Sequence, residues 1–264
     1  MTEASRDLDH LNRMGLKFLA EHQNENFDKE YHSPEVMKRR IDVIRARFPD
    51  GPATILDIGG GNGRFLDSLL SAFPIANGYI IDPSQVLLTR NSFNSRKHLV
   101  QGSVDQLEEI FPNQTFDIIT TNWVLHHLVG STWGQCVSNA IDALEIAGRL
   151  LSPNGMIIVA EDMYNGILGG DLPSRVIYAV TSIKNRRFAI LASRYSNTAG
   201  VGVCFHSQSA WEALFKRIGL KTEQKFFGNY WPADLTTRLM LLLMTITSRR
   251  HGHYFLLPEG FSRT

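Results

Sequence analysis

Two cysteines, Cys136 and Cys204, are all that the 264 residues contain, far apart and with no Cys-x-x-Cys pair. That excludes a disulfide scaffold and a thiolate zinc site, and it fits a reducing, cytoplasmic setting. An excess of either charge is missing as well. The formal net charge is +1, so there is no broad basic footprint for nucleic acid. Lys38-Arg39-Arg40 and Arg249-Arg250 are short basic groups, read as solvated helix ends. No apolar run reaches the roughly 20 residues of a membrane-spanning helix. The most apolar, "LTTRLMLLLMTIT" over residues 235–247, is short and interrupted, and the opening "MTEASRDLDHLNRM" is polar and acidic. Neither a membrane insertion nor a signal segment is therefore expected. Repeats, low-complexity tracts and Pro/Gly/Ser linkers are also lacking, which argues against a string of independent units.

What is present is ordinary for a globular chain: 43% hydrophobic and 20% charged residues, in a length suited to one sizeable domain. Leu8, Leu11, Gly15, Phe18 and Leu19 fall near helical spacing, which predicts a helix over 7–24. Ser33-Pro34-Glu35 offers an N-cap with proline at the first helical position, for a helix running to about Phe48 before Pro49-Asp50-Gly51-Pro52. The period then changes. "ATILDI" (53–58), "NGYIID" (77–82), "HLVQ" (98–101), "TFDIITT" (115–121) and "GMIIVAE" (155–161) are short apolar runs, mostly separated by helical segments such as 63–73 and 136–151. Strand alternating with helix predicts a parallel, doubly wound α/β sheet. After Glu161 the regularity lapses for about forty residues. It resumes with a helix opening near Ser207, then "LKTEQKFFG" and "HYFLLP", two late strands expected as an antiparallel pair at the sheet edge.

In a doubly wound sheet the ligand sits outside the carboxyl ends of the strands, beside strand one. Here that places "DIGGGNG", Asp57 to Gly63, at the site. A dinucleotide fingerprint needs a third glycine where Arg64 stands, and a P-loop needs a Gly-Lys-Ser/Thr that this turn lacks. Asp57 ahead of the turn is a poor neighbour for phosphate and a suitable one for a cationic ligand with an amino-acid ammonium group. Asp82 closes the second strand about twenty residues on, where a carboxylate commonly grips ribose hydroxyls; the alternative is a turn-capping aspartate before Pro83.

"TILDIGGGNGRFL", "YIIDPS", "LVQGSVDQL", "FDIITTNWVLHHL" and "AGRLLSPNGMIIVAED" occur in an order and spacing that resembles class I S-adenosylmethionine-dependent methyltransferases. The similarity is closest to the small-molecule branch that includes the ubiquinone/menaquinone-biosynthesis type. It covers roughly residues 50–162, and 206–228 more loosely. The resemblance implies a Rossmann-like, doubly wound seven-stranded sheet, mostly parallel with an antiparallel edge pair. An N-terminal helical cap would occupy 1–50 as a lid, and the methyltransferase domain 51–264, with lid inserts at about 163–205 and 231–252. It implies S-adenosyl-L-methionine as cofactor and S-adenosyl-L-homocysteine as product. Gly59, Gly60 and Gly61 would hold the methionine part with Asp57 near the sulfonium, Asp82 the ribose, and Pro83 or Ser84 the adenine border. Ser103 and Val104 follow strand three, where the family often has an acid for the adenine amino group; Asp105 comes two residues later. Asn122 and Trp123 would flank the transferable methyl.

Methyl transfer from a sulfonium needs positioning and, for some acceptors, a base; no metal is expected. Candidate bases above the sheet are Glu161 (with Asp162 beside it), His206 and one of the adjacent His126 and His127, with Tyr31 and His32 where a lid would close. Each has a plainer reading: a strand-end cap, a helix-capping neighbour, a packing imidazole, a packed lid. Tyr230 and Trp231 are candidates for pocket wall, and Arg175, Lys184, Arg186 and Arg187 either meet an acidic acceptor or face solvent. The apolar inserts favour a lid over a pocket for a small hydrophobic or aromatic metabolite, as in secondary metabolism; a homodimer interface or an ordinary core helix is the other reading. The expected activity is methyl transfer to oxygen, carbon or nitrogen. Its rival is a cyclisation or pericyclic step on the same fold, with the cofactor not consumed.

Overall fold

The structure, a computed structural model, describes residues 12–18, 33–166, 170–183, 200–228 and 234–259. Helix α1 (Pro34–Arg47) starts where the sequence places it. Ser33 Oγ accepts the Val36 N–H at 3.3 Å, and Phe48 closes the helix with its N–H on Ile44 O. Strand β1 (Thr54–Ile58) leads through the glycine turn into α2 (Arg64–Ala72), β2 (Asn77–Asp82), the short α3 (Gln85–Leu88) and β3 (Lys97–Gln101). Then come α4 (Leu107–Ile110), β4 (Phe116–Asn122), α5 (Trp133–Arg149), β5 (Leu151–Gly166), α6 (Leu172–Thr181), α7 (Gln208–Arg217), β6 (Leu220–Phe227), α8 (Leu235–Leu243) and β7 (Ile246–Pro258).

The seven strands lie in the order β3-β2-β1-β4-β5-β7-β6. The pairs β3–β2, β2–β1, β1–β4 and β4–β5 are parallel, and β7 is antiparallel to both β5 and β6. The strand order reverses between β1 and β4, and the carboxyl ends Ile58, Asp82 and Asn122 lie at this switch point, where doubly wound sheets bind their ligands. Alternation along the strands sorts the core. Ile55, Ile80, Ile118, Ile158 and Phe255 pack with Met37, Ile44, Leu66 and Leu69 of α1 and α2. Leu56, Ile119, Ile157, Val159 and Tyr254 pack with Leu144 and Ala147 of α5 and Trp211 of α7.

Three expectations change. Residues 12–18 are not helical: a turn with Gly15 at φ 60° leads into extended chain. Asn12 Oδ1 takes the Leu16 N–H at 2.7 Å, and the Lys17 N–H reaches Val129 O at 2.8 Å, so this segment bonds to its own turn and to the β4–α5 connection instead of to a helix. The rest of the predicted 7–24 helix lies outside the described residues. The sheet also reaches further than expected, since β5 continues to Gly166 and β7 begins at Ile246. The pairing from Ile157↔Leu256 to Gly166↔Ile246 takes up the first and last residues of the two stretches read as inserts. Finally, neither basic group is a solvated helix end: Arg40 is fully buried on the inward face of α1 with Met37 and Ile44, and Arg249 and Arg250 lie within strand β7, paired with β5. Among the described residues no helix is long and apolar enough to cross a membrane.

Candidate functional site

The turn after β1 needs its glycines for stereochemical reasons. Gly59 has φ 67°, and a Cβ there would lie 2.5 Å from Val124 Cγ2. Gly63 has φ 74°, and its Cβ would lie 1.8 Å from Asn91 Oδ1. Only a residue without Cβ lets the chain pass these points. Gly61 is buried and also has positive φ, 52°, though an added Cβ would meet Leu87 Cδ1 no closer than 3.5 Å. Asp82 Oδ2 accepts the Gly61 N–H at 3.0 Å and its Oδ1 accepts the Ser84 N–H at 2.8 Å. The carboxylate thus fastens the turn to the end of β2. Asn91, which sequence reasoning passed over, supports the turn from behind, donating to Gly61 O at 2.8 Å.

Asp57, on β1 beneath the turn, is buried. Its Oδ1 accepts Thr120 Oγ1 at 2.6 Å and Asn122 Nδ2 at 3.3 Å. Its Oδ2 has no hydrogen-bond partner among the described residues and stands 2.7 Å from where a Cβ of Gly60 would be. Burial pushes this carboxyl up to about 7, against the Thr120 and Asn122 hydrogen bonds and the Arg40 charge, which pull it down. Arg40 is the neighbouring cation; burial lowers it to about 9, so it stays protonated at neutral pH.

Pro83 is half-buried beside this turn, its carbonyl accepting Gln101 Nε2 at 3.4 Å. Ser103 caps the short 3-10 turn Val104–Gln106 after β3. Its N–H donates to Gln106 Oε1 at 2.9 Å, and its hydroxyl bonds Asp105. Asp105 in turn accepts the Arg13 N–H at 3.0 Å, so the 12–18 segment meets the end of β3. Trp123 follows β4 at φ 54°, its N–H on Ala160 O at 2.8 Å and its Nε1 on Asp162 Oδ1 at 3.2 Å. Its indole therefore turns toward β5 and β7, where Arg249 and His251 also bond Asp162. Burial pushes Asp162 up, but His251 and Arg249 outweigh it and hold the carboxyl below the usual carboxylate range.

Glu161, adjacent on β5, points to the opposite face. It is wholly buried, with Oε1 accepting the Leu125 N–H at 2.8 Å and the His126 N–H at 3.4 Å. Its Oε2 lies 2.5 Å from His126 Nδ1. Among the described residues His126 Nε2 makes no hydrogen bond. Burial raises Glu161 well above the usual carboxylate range and lowers His126 to about 3. One cause, exclusion of net charge from a dry site, accounts for both shifts and makes the resting pair neutral.

The His126 ring lies 4.3 Å from that of Phe205 and 4.1 Å from that of half-buried His127, whose pKa burial also depresses. Phe205 continues to Tyr164, 4.8 Å away. His206 is held elsewhere. Its Nδ1 is 2.5 Å from Asp171 Oδ2, its Nε2 is 3.9 Å from Cys204 Sγ, and its ring packs edge-on against Trp133 and Trp211. The structure therefore brings Glu161 together with His126 and gives His206 a separate carboxylate. Tyr31, His32, Tyr230, Trp231, Lys184, Arg186 and Arg187 lie outside the described residues. Arg175 lies over the Trp133 ring at 4.0 Å. Among the described residues no group of three His, Cys, Asp or Glu side chains is arranged to hold a metal ion.

The chain is similar to several known proteins. It is 27% identical over 120 residues to caffeic acid 3-O-methyltransferase of Eucalyptus globulus, a match covering 46% of this chain and 36% of that protein. It is 36% identical over 89 residues to the O-methyltransferase aclM of Aspergillus oryzae, covering 29% and 20% respectively. The chain thus spans about a third or less of the length of these curated relatives. Among solved structures, the plantazolicin methyltransferase BpumL superposes with a TM-score of 0.55 at 15% identity, over 90% of this chain and 89% of that one. A SAM-dependent methyltransferase of Thiobacillus denitrificans in complex with S-adenosyl-L-homocysteine gives 0.54 at 14% identity, over 90% and 97%. Both likenesses show the same fold. The sequence model of the methyltransferase-domain family matches residues 23–225, more than half of the chain, and with the sheet order and glycine turn above, the chain belongs to that family.

Proposed function

We propose that this protein is an S-adenosyl-L-methionine-dependent methyltransferase acting on a hydroxyl of a small hydrophobic or aromatic metabolite. The observation that carries the cofactor is the buried Asp57 carboxyl, whose Oδ2 has no hydrogen-bond partner among the described residues and faces the glycine turn at Gly60. A buried, unpaired carboxylate is costly unless a cation meets it, and the ligand implied is one with a positive amino-acid end. Asp82 is already aligned by two backbone N–H groups at the end of β2, where a carboxylate commonly meets ribose hydroxyls. When bound, S-adenosylmethionine supplies an activated methyl group on sulfur.

On the acceptor side, Glu161 orients the His126 imidazole through Nδ1 and leaves Nε2 to take the proton from a hydroxyl. The pair acts as a base once it has shed its shared proton, a loss favoured by a positive charge seated nearby. Phe205, Tyr164, Ile177, Val203, Leu241, Met244 and Ile246 form an apolar cluster beside His126, which suits an aromatic acceptor. The names of the plant and fungal relatives, all O-methyltransferases, support oxygen as the acceptor.

Titration calorimetry with S-adenosylhomocysteine tests the donor half. Micromolar binding is expected. Gly61→Arg should abolish it by forcing a long side chain into the buried turn at positive φ, and Asp82→Ala should weaken it by about ten- to a hundredfold, the worth of a charge-assisted hydrogen bond. Unchanged binding in both variants would remove the site assignment.

A further inference from the structure

Arg40 has no counterpart in the reading of the glycine turn, yet it is the most deeply buried cation described. Its side chain has no solvent exposure, comes from α1 outside the sheet, and lies over the Phe65 ring at 5.1 Å. One guanidinium nitrogen donates to Asn122 Oδ1 at 2.7 Å and another lies 2.7 Å from His253 Nδ1, while Nε has no partner among the described residues. Such a group is expensive to bury and is commonly retained where a charge is needed. The bond to Asn122 explains what it does. An amide held by its oxygen at Arg40 must turn its Nδ2 the other way, and that nitrogen reaches Asp57 Oδ1 at 3.3 Å. Thr120 fixes the same oxygen, so both hydrogen bonds gather on Oδ1 and Oδ2 is left facing Gly60.

We infer that Arg40 is a positioning residue of the cofactor seat, fixing the Asn122 amide and supplying the buried positive charge that keeps Asp57 ionised for the cationic end of the ligand. This rests on the cofactor reading above. The charged and polar groups that act on Asp57, among the described residues, are Arg40 from α1, Thr120 and Asn122 from β4, and Asp82 at the end of β2; His253 of β7 touches Arg40 and not Asp57. Of these only Arg40 offsets both the burial and the repulsion from Asp82 with a full charge. Without it Asp57 holds a proton to higher pH, and a protonated carboxyl has no net charge with which to attract an ammonium group.

The test measures S-adenosylhomocysteine affinity by calorimetry across about pH 6 to about pH 8.5 in the wild type, Arg40→Met, Arg40→Gln, Arg40→Lys and Asp57→Asn. Wild-type affinity should rise with pH to a plateau. In Arg40→Met and Arg40→Gln the rise should move up by roughly one pH unit, the low end of the effect of an opposite charge on a carboxylate, because the Thr120 and Asn122 hydrogen bonds pull harder than Arg40. Lys should restore most of the shift, and Asp57→Asn should give a flat profile. Gln keeps polar contacts without the charge, so it carries the prediction if Met does not fold, with circular dichroism as the check. Variants that bind like the wild type, or lose affinity equally at every pH, overturn the inference and leave Arg40 a structural residue. A wild type that does not bind S-adenosylhomocysteine at any pH overturns the cofactor reading along with it.

Discussion

His126 and Glu161 set the requirements of the proposed reaction at the level of single atoms. Glu161 takes two backbone N–H groups on one oxygen and the imidazole on the other, so its side chain is held from three directions. That leaves His126 as the movable-proton partner, with a ring nitrogen to spare. His126→Ala should lower methyl transfer to a phenolic hydroxyl by about 10²–10⁴-fold, the usual worth of a positioned base. S-adenosylhomocysteine affinity should be unaffected, because the imidazole bonds Glu161 and not the glycine turn. The pH profile has a definite sign. Burial raises Glu161, so the pair sheds its proton only as pH increases, and the rate should climb with pH and fall in acid. Glu161→Gln cannot share a proton and should lose both rate and slope. A single-turnover assay with labelled donor reads all three; wild-type transfer by His126→Ala would move the base elsewhere.

Turns and strand ends show how local rules and tertiary pairing divide the work. Gly63 and Gly134 make a matched test. A Cβ at Gly63 would strike Asn91 Oδ1 at 1.8 Å and Ile80 Cδ1 at 2.9 Å at a φ of 74°, whereas one at Gly134 in α5 meets only Thr132 Oγ1 at 4.0 Å. Gly63→Ala should cost about 1–3 kcal/mol from the backbone conformation alone, and should loosen the Asn91 bond to Gly61. Gly134→Ala should be neutral or gain up to about 1 kcal/mol from helix propensity. Thermal melts of the two variants compare them directly, and equal melting would refute the steric account. The same contrast explains what was legible in the sequence. Alternating apolar runs gave the five parallel strands, and Ser33-Pro34 gave the start of α1, because periodicity and caps are local signals.

The extra lengths of β5 and β7 were not legible. "MYNG" and "ITSRRHG" fall at the ends of the two stretches read as lid inserts, and only their mutual pairing makes them strands. Arg40 was missed because it sits in a basic triplet that looks solvated. The signal that could have found it is Met37-Arg40-Ile44, spaced on one face of the helix. The pairing of Glu161 with His126 instead of His206 depends on two chain segments meeting in space, which one sequence does not reveal.

For the molecule as a whole, the buried carboxylates give the stability a dependence on pH that the ligand should remove. Asp57 in the folded protein is raised from 3.8 to about 7. A carboxyl raised on folding binds its proton more tightly in the native state, so its cost is absent below the unfolded value and grows as pH rises toward the folded one. The shift corresponds to about 4 kcal/mol by roughly 1.36 kcal/mol per pH unit, a large part of a net stability of about 5–15 kcal/mol. Glu161 acts in the same sense. Asp162 acts in the opposite sense: held low by His251 and Arg249 against its burial, it stabilises above its unfolded pKa and loses that as pH falls. His126 and His127, which burial lowers, also act in the opposite sense and cost stability as pH falls, so the Asp57 part of the decline toward neutrality is read as a difference between variants. Asp57→Asn, which leaves the fold's apolar layers intact, should flatten the decline and melt higher than the wild type above about pH 7. Saturating S-adenosylhomocysteine should flatten it in the wild type as well, because its ammonium group would meet the ionised Asp57 carboxylate. Calorimetric melts over the pH series distinguish the cases: a parallel decline in wild type and Asp57→Asn would show that this buried charge is not what limits the fold.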